Sequence, residues 1–148
     1  MFTLELSALI DLPREETFAY LADFRNAPQW QPQLESVRLD DGPFPDGTHV
    51  VEVHRLLGMT IDAHGDLVDW QPLDGFTVRG ASGLLQVESR YSFSSEGTGT
   101  RVTLHLTMVS RGPARLAEPI MRRRLQRDLT TAFGQLPAAA EGRSTPSS

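Results

Sequence analysis

The chain has 148 residues, a length typical of a single domain that removes about 68–70% of its unfolded-chain surface from water. Its formal net charge of −5 argues against a nucleic-acid surface, because phosphate binding needs clustered positive charge. All 14 basic residues are Arg and Cys is absent, which excludes disulfides, thiolate nucleophiles, cysteine metal sites and Schiff-base lysines.

The hydropathy pattern predicts a protein without a transmembrane segment. No apolar run approaches the ~20 residues that span a bilayer, and the N-terminus lacks a basic region followed by an apolar block. Hydrophobic residues make up 39% of the chain and charged residues 22%, which is typical of a globular domain. We therefore expect a soluble, cytoplasmic protein.

The first predicted elements are a strand and two short helices. Residues 2–10 alternate apolar and polar side chains, which predicts a half-buried strand. Pro13 followed by two Glu residues suits the start of a helix, which we expect to end near Asp23. The Asn and Pro residues that follow leave at most one more helical turn, around Trp30.

Six further strands are predicted at short intervals. Turn-rich segments separate them, and connections this short favour antiparallel hairpins over crossovers. The predicted strands are residues 34–40, 48–57, 59–70, 75–81, 85–94 and 100–110.

Residues 111–136 are predicted to form the one long helix. Its apolar side chains recur at spacings of three and four, which places them on one face. They are Met121, Leu125, Leu129, Ala132, Phe133 and Leu136. We expect Pro119 to kink or divide this helix and residues 137–148 to form a frayed tail. Strands followed by a long helix predict an α+β fold in which the helix covers one face of a curved antiparallel sheet.

Alternation and register predict which side chains face the helix. On the last strand the inward set is Val102, Leu104, Leu106 and Met108, which leaves His105 in solvent. A two-residue turn at Leu57-Gly58 pairs residue 56 with 59 and so on down the hairpin. This register places Val50, Glu52, His54, Leu56, Met59, Ile61 and Ala63 inside.

The strand at residues 59–70 changes phase along its length. Val68 and Trp70 look inward although they are out of phase with Ile61, so we expect a β-bulge near Gly65. His64 then lies outside, unless the bulge precedes it.

Several landmarks in one order resemble the START-related helix-grip superfamily, the SRPBCC group that includes polyketide cyclase/dehydrase and lipid transport-like proteins. They are IDLPREETFAYLADFRNAPQWQP, the DGT before the third strand, VDWQP, EGTGTRVTL, and the Gly-Pro start, Pro and Arg-rich run of the last helix. The resemblance covers nearly the whole chain. It implies a helix-grip fold: a seven-stranded antiparallel sheet wrapped around the C-terminal helix, two short helices after strand one, and an elongated apolar cavity.

The resemblance also implies a hydrophobic small-molecule ligand, lipid- or polyketide-like, held between sheet and helix. It supplies no catalytic motif, cofactor or metal site. The candidate ligand-binding residues are Trp30, Met59, Ile61, Trp70, Phe76, Ser89, Tyr91, Met108, Leu125, Leu129 and Phe133. The alternative is that their large side chains simply fill a core.

Three polar residues are candidates for catalysis. Glu52 and His54 lie two apart on one strand face, Tyr91 is the third candidate, and Ser89 could join them. A His near a carboxylate can carry protons near neutral pH, as a polyketide cyclase or dehydratase requires. One alternative is that the pair lies at a strand end in solvent without a function, and the other is that Glu52 orients His54 as a buried structural contact. A third functional hypothesis is a protein-interaction adaptor.

The predicted long helix also carries a cluster of positive charge. Arg122, Arg123 and Arg127 could contact an anionic lipid, but a solvated helix face is the simpler interpretation. A homodimer is left open.

Overall fold

The computed structural model describes residues 1–32, 34–39, 49–56 and 59–142. Six strand residues, Leu39, His54, Leu56, Met59, Ile61 and Ser82, are described by their backbone alone. The strands are β1 (Phe2–Ile10), β2 (Leu34–Leu39), β3 (His49–Leu56), β4 (Met59–Gln71), β5 (Gly75–Ser82), β6 (Leu85–Glu96) and β7 (Gly99–Ser110). The helices are α1 (Arg14–Ala22) and α2 (Glu118–Ala140), with 3-10 segments at Phe24–Gln29 and Gly112–Ala117.

The seven strands form one antiparallel sheet in the order β1-β7-β6-β5-β4-β3-β2, with α2 on one face. This confirms the α+β helix-grip fold and the two short helices after strand one. The predicted β3–β4 register is confirmed as well, since Leu56 pairs with Met59, His54 with Ile61 and Val50 with Gly65. The predicted turns at residues 41–47 and 57–58 lie outside the described residues.

Strand β7 shows why the sheet has an inner face. Val102, Leu104, Leu106 and Met108 are all at most 7% exposed, whereas His105 is exposed and lies 3.7 Å from Glu5. Alternation of this kind places every second side chain against α2 and the intervening ones in solvent. The predicted inward set of β7 is therefore confirmed.

The irregularity in β4 lies further along the strand than the sequence predicts. The β4–β5 register shifts between Val68 and Gln71 rather than near Gly65, and Asp69 takes a φ of 53° there. Leu67 therefore stays in phase with Gly65 and is fully buried, while Trp70 turns inward against Phe18, with ring centroids 5.2 Å apart. An extra residue at a bulge shifts the phase of the side chains that follow it, which explains why Trp70 looks out of phase in the sequence.

His64 lies before this irregularity and stays on the outer face of the sheet. Its ring is exposed and stacks on that of His49, with centroids 5.6 Å apart.

Helix α2 begins and ends later than predicted. Residues 112–117 form a 3-10 segment, and the α-helix begins at Glu118. Pro119 lies in its first turn, where the missing N–H costs no intrahelical hydrogen bond. At the other end the helix includes Pro137 and continues to Ala140, although the sequence predicts a tail from residue 137. The Asp11 amide donates to the Glu141 carboxylate at 2.8 Å and fixes this end, and residues 143–148 lie outside the described part.

One end of the interface between sheet and helices is filled by aromatic rings, and we call it the aromatic half. Its rings are those of Phe18, Phe24, Trp70, Phe76 and Phe93, whose contacting centroids lie 5.0–6.0 Å apart. Edge-to-face and tilted contacts of this kind add to the free energy of burial. Within the described residues, neither α1 nor α2 combines the length and apolar character needed to cross a bilayer.

Candidate functional site

Along two neighbouring strands the inward side chains become smaller with distance from the aromatic half. On β5 they run from Phe76 through Val78 to Gly80. On β4 the inward face carries Leu67, then Gly65 and then Ala63. Because α2 lies over both ends, the smaller side chains leave a gap beneath it. We call this end the cavity half.

The gap is a cavity of about 180 Å³ between the sheet and the first half of α2. Large apolar side chains form most of its described walls: Val78, Leu85, Val87, Leu104, Leu106, Met108, Met121, Leu125 and Leu129. An interior packed to normal density contains few voids larger than a water molecule, so a cavity of this size is a feature that needs an explanation.

Two glycines on adjacent strands of the sheet shape the floor of the cavity. Gly65 of β4 pairs with Gly80 of β5. A Cβ added at Gly65 would lie 2.9 Å from the carbonyl oxygen of Arg79, and one at Gly80 would lie 3.1 Å from that of His64. The strands therefore approach more closely here than side chains allow, and the missing side chains enlarge the cavity.

Seven polar residues border the cavity beside its apolar wall: Gln31, Glu52, Arg55, His64, Ser89, Tyr91 and Asp128. Asp128 also accepts a hydrogen bond from Arg124 at 3.4 Å, one turn earlier on α2. Burial raises the pKa of Tyr91 above its usual range, and the negative charge of Glu52 raises it further. Tyr91 therefore remains a neutral phenol that can donate a hydrogen bond, and Glu52 lies near enough for its charge to act on the phenol.

The structure divides the predicted ligand-binding residues into two groups. Ser89, Tyr91, Met108, Leu125 and Leu129 line the cavity. Trp30, Trp70, Phe76 and Phe133 pack in the core, and none of these four is among the described residues that border the cavity.

The aromatic residues of the second group fill space by contacting one another. The rings of Trp30 and Phe133 lie 5.6 Å apart, and those of Trp70 and Phe76 lie 5.7 Å apart. The side chains of the remaining predicted residues, Met59, Ile61 and His54, lie outside the described part of the chain.

Three small lining residues and one carboxylate were not singled out from the sequence as a site. Ala63, Gly65, Gly80 and Asp128 all border the cavity. The signal that could have identified the first three is the loss of side-chain volume along faces already predicted to point inward, from Phe76 to Gly80 on one strand. Asp128 carries no such signal, because it belongs to the polar side of an amphipathic pattern.

One cluster on the outer face resembles a metal site only in composition. His49 Nδ1 lies 3.3 Å from Asp66 Oδ1, and His49 Nε2 lies 3.4 Å from His64 Nδ1. The contacts use opposite nitrogens of His49, so the three side chains form a row and do not converge on one point. Within the described residues, no group of three or more His, Asp or Glu side chains is placed to hold a metal ion.

One protein-family model matches nearly the whole chain. The family model described as polyketide cyclase / dehydrase and lipid transport matches residues 1–141. A search of curated proteins finds no match.

Several solved structures share the fold at low sequence identity. TTHA0849 from Thermus thermophilus is 17% identical, with a TM-score of 0.82 over 97% of this chain and 100% of that one. The Zhui aromatase/cyclase from a Streptomyces species is 14% identical, with a TM-score of 0.84 over 98% of this chain and 96% of that one. The di-domain aromatase/cyclase StfQ from the steffimycin biosynthetic pathway is 15% identical, with a TM-score of 0.75 over 96% of this chain and 52% of that one. At these identities the likeness shows the fold.

Proposed function

Because the chain belongs to the polyketide cyclase / dehydrase and lipid transport family, we propose that it binds a hydrophobic small molecule between its sheet and α2. The observation that carries this proposal is the cavity of about 180 Å³, whose wall is mostly apolar. Apolar cavities gain binding free energy in proportion to the ligand surface that they remove from water.

The size of the cavity limits the part of the ligand that it can enclose. Binding pockets commonly exceed about 300 Å³, whereas a cavity of about 150 Å³ accepts benzene. A cavity of 180 Å³ therefore suits one aromatic ring system or an aliphatic segment of similar volume. Covering about 150–200 Å² of apolar surface would contribute about 4–5 kcal/mol before the entropic cost of association.

The polar groups of the wall limit the chemistry of the ligand. Glu52 and Asp128 place two carboxylates at the cavity, and Ser89 and Tyr91 offer hydroxyl groups. Arg55 also borders the cavity, but it forms an exposed ion pair with Glu35. A ligand carboxylate near Glu52 would be repelled, whereas a carbonyl or hydroxyl group can pair with Tyr91 and Ser89. We therefore expect a neutral apolar ligand that carries carbonyl or hydroxyl groups, as polyketide-like molecules do.

A pair of probes tests this proposal. The purified protein should bind naphthalene and a neutral naphthyl ketone, as measured by calorimetry or by displacement of a fluorescent probe. Tyr91→Phe should weaken the ketone about 2- to 10-fold, the usual contribution of one hydrogen bond, and leave naphthalene unchanged. Solvent extraction and mass spectrometry should also detect a co-purified apolar molecule. Absence of binding by either probe would contradict the proposal.

The proximity of Glu52 and Tyr91 supports a second candidate, a polyketide cyclase or dehydratase. Glu52 or His54 would remove the proton from a carbon between two carbonyl groups, and Tyr91 would donate to the enolate oxygen that develops. The enolate carbon would then attack another carbonyl of the same chain, which closes the ring and leaves an alkoxide that takes up the proton held by the base. Loss of water from this β-hydroxy ketone would form a double bond in the ring.

Comparing two variants distinguishes the enzyme from a binder. With a poly-β-carbonyl substrate, Glu52→Gln and His54→Ala should show which residue is the base through a loss of turnover of about 10²-fold or more. The same variants should keep their affinity for naphthalene. If neither variant changes turnover, or if the wild type shows none, the function is binding alone. Three further hypotheses stay predictions: the adaptor role, the homodimer and the cytoplasmic location.

A further inference from the structure

Three large aliphatic side chains are exposed near the cavity half. Leu84 is 48% exposed, Leu116 86% and Ile120 63%. Leu116 and Ile120 lie one helical turn apart, at the junction of the 3-10 segment and α2. Leu84 adjoins the start of that segment, because its carbonyl accepts from the Arg111 amide at 3.0 Å and its Cδ1 lies 3.9 Å from the Cβ position of Gly112. We call these three residues the aliphatic strip.

The strip adjoins the wall of the cavity. Leu84 directly precedes Leu85, and Ile120 directly precedes Met121. Both Leu85 and Met121 line the cavity. Whatever covers the strip therefore lies beside the cavity half and away from the aromatic half.

Positively charged side chains extend the same surface along α2. Arg123 and Arg127 follow Ile120 at steps of three and four, so the three residues share one helix face. Both arginines are exposed, and no carboxylate in the described part of the chain forms an ion pair with either. Residues 111–127 contain six Arg and one Glu, in a chain whose net charge is −5. The local charge thus opposes that of the whole molecule.

Aliphatic side chains beside unpaired arginines complement an anionic bilayer. The apolar groups can enter the boundary between headgroups and acyl chains, and each Arg gains from the negative surface potential. Protein interfaces are enriched in Arg as well as in aromatic residues, so the arginines suit either partner, but the strip contains no aromatic side chain and therefore favours a bilayer. We propose that the aliphatic strip, with Arg123 and Arg127, docks the protein on an anionic lipid surface. The docking places the cavity half against the bilayer and extends the proposed function without requiring a bound ligand.

Vesicle flotation of the full-length, ligand-free protein tests the proposal. The wild type should bind vesicles containing about 30% phosphatidylglycerol and bind pure phosphatidylcholine far less, with a preference that falls as salt rises. The double variant Arg123→Gln/Arg127→Gln should lower the partition coefficient on the anionic vesicles about tenfold or more. Leu116→Ser/Ile120→Ser should lower it about as much, because each change removes an aliphatic group from the bilayer boundary.

Two matched controls separate docking from general charge and hydrophobicity. Arg122→Gln removes the same charge from the adjacent position, which points away from the face of Ile120. Leu9→Ser removes an aliphatic side chain that is also 48% exposed but lies on β1. Each control should change the partition coefficient by less than about threefold.

Equal binding to neutral and anionic vesicles would overturn the proposal. So would equal losses from the test and control variants, or no binding to either vesicle. All substituted side chains are exposed, so unchanged melting curves should confirm that the variants fold. The naphthalene assay of the proposed function uses no vesicles, so each proposal can fail alone.

Discussion

The aromatic half and the cavity half are built from the same strands and the same helix, yet only one of them is filled. Strand β5 contributes Phe76 to the first and Gly80 to the second, and β4 contributes Leu67 and Ala63 in the same way. The fold therefore does not determine the cavity by itself. The small inward side chains of β4 and β5 determine it.

Helix α2 shows the same division along its length. In its second half Ala132 and Leu136 are 0% exposed, and Phe133 is 4% exposed. In its first half Met121 and Leu125 are only half-buried, although they continue the same stripe. The stripe is equally apolar in both halves, so the difference in burial comes from what the sheet presents opposite it.

The cavity has an energetic cost that the aromatic half must offset. The cavity is partly open to solvent, so the roughly 24 cal/mol per Å³ lost at a sealed void gives an upper limit, on the order of 4 kcal/mol, for the packing that it forgoes. Total folding stabilities are commonly about 5–15 kcal/mol, so this cost is substantial. We expect the two halves to respond in opposite ways to changes in side-chain volume.

The largest expected effect is the loss of stability that follows when a side chain in the filled half is made smaller. Leu136→Ala should lower the free energy of unfolding by about 2–5 kcal/mol, because the side chain is fully buried and its removal creates a new void. Leu125→Ala borders a void already, so it should cost about 1 kcal/mol. Urea denaturation measures both. Equal costs would mean that the cavity is closed by rearrangement in solution.

Making a side chain larger should also distinguish the two halves, with a smaller effect on stability. Ala132→Leu overpacks a site that is 0% exposed and should cost about 1–3 kcal/mol. Ala63→Leu directs the same added atoms into the cavity, so it should change stability by less than about 0.5 kcal/mol.

For ligand binding the order of the two variants should be reversed: the variant that loses less stability should lose more affinity. Ala63→Leu occupies ligand space and should weaken naphthalene at least about tenfold, whereas Ala132→Leu should leave its affinity unchanged in the folded fraction. If Ala63→Leu binds naphthalene as the wild type does, the ligand does not occupy this cavity.

Much of the fold could be predicted because its patterns are local. The alternation in β7 and the two-residue connection between β3 and β4 determine the inward faces directly. The change of phase in β4 revealed an irregularity but not its position, because a shift anywhere between Ile61 and Trp70 gives the same change, and the structure places it at Asp69. Pro137 was expected to end α2, but packing of Ala139 in the core and the contact between Asp11 and Glu141 favour a longer helix.

The candidate site was harder to predict than the fold, for a physical reason. Large aromatic residues such as Trp70 and Phe76 suggest a ligand pocket, yet large side chains reach one another and fill space. A cavity forms where small residues face inward, and Gly65 and Gly80 give no hydrophobic signal of their own. Side-chain volume along a predicted inward face is therefore a better guide to such a site than aromatic content.

The smallest expected effect concerns Glu118, which fixes the start of α2 at the cavity half. Its carboxylate accepts from the Met1 ammonium at 2.8 and 2.9 Å and from the Ser110 hydroxyl. The ammonium and then the hydroxyl hold the pKa of Glu118 below its usual value of 4.5. A carboxyl whose pKa is lowered by folding stabilises the protein above the pKa of the unfolded chain, and this contribution is lost as the pH falls through the folded value.

Glu118→Gln should therefore lower the urea midpoint at neutral pH, by less than Ala132→Leu does, because the ion pair lies at the surface. The difference from the wild type should shrink as the pH falls below about 4.5 and disappear once the wild-type carboxyl is protonated. Acetylating the amino terminus removes the ammonium and should reduce the difference at neutral pH. A difference that persists in acid would mean that Glu118 fixes the helix through packing instead of charge, and the start of α2 would then resemble the filled half in its energetics.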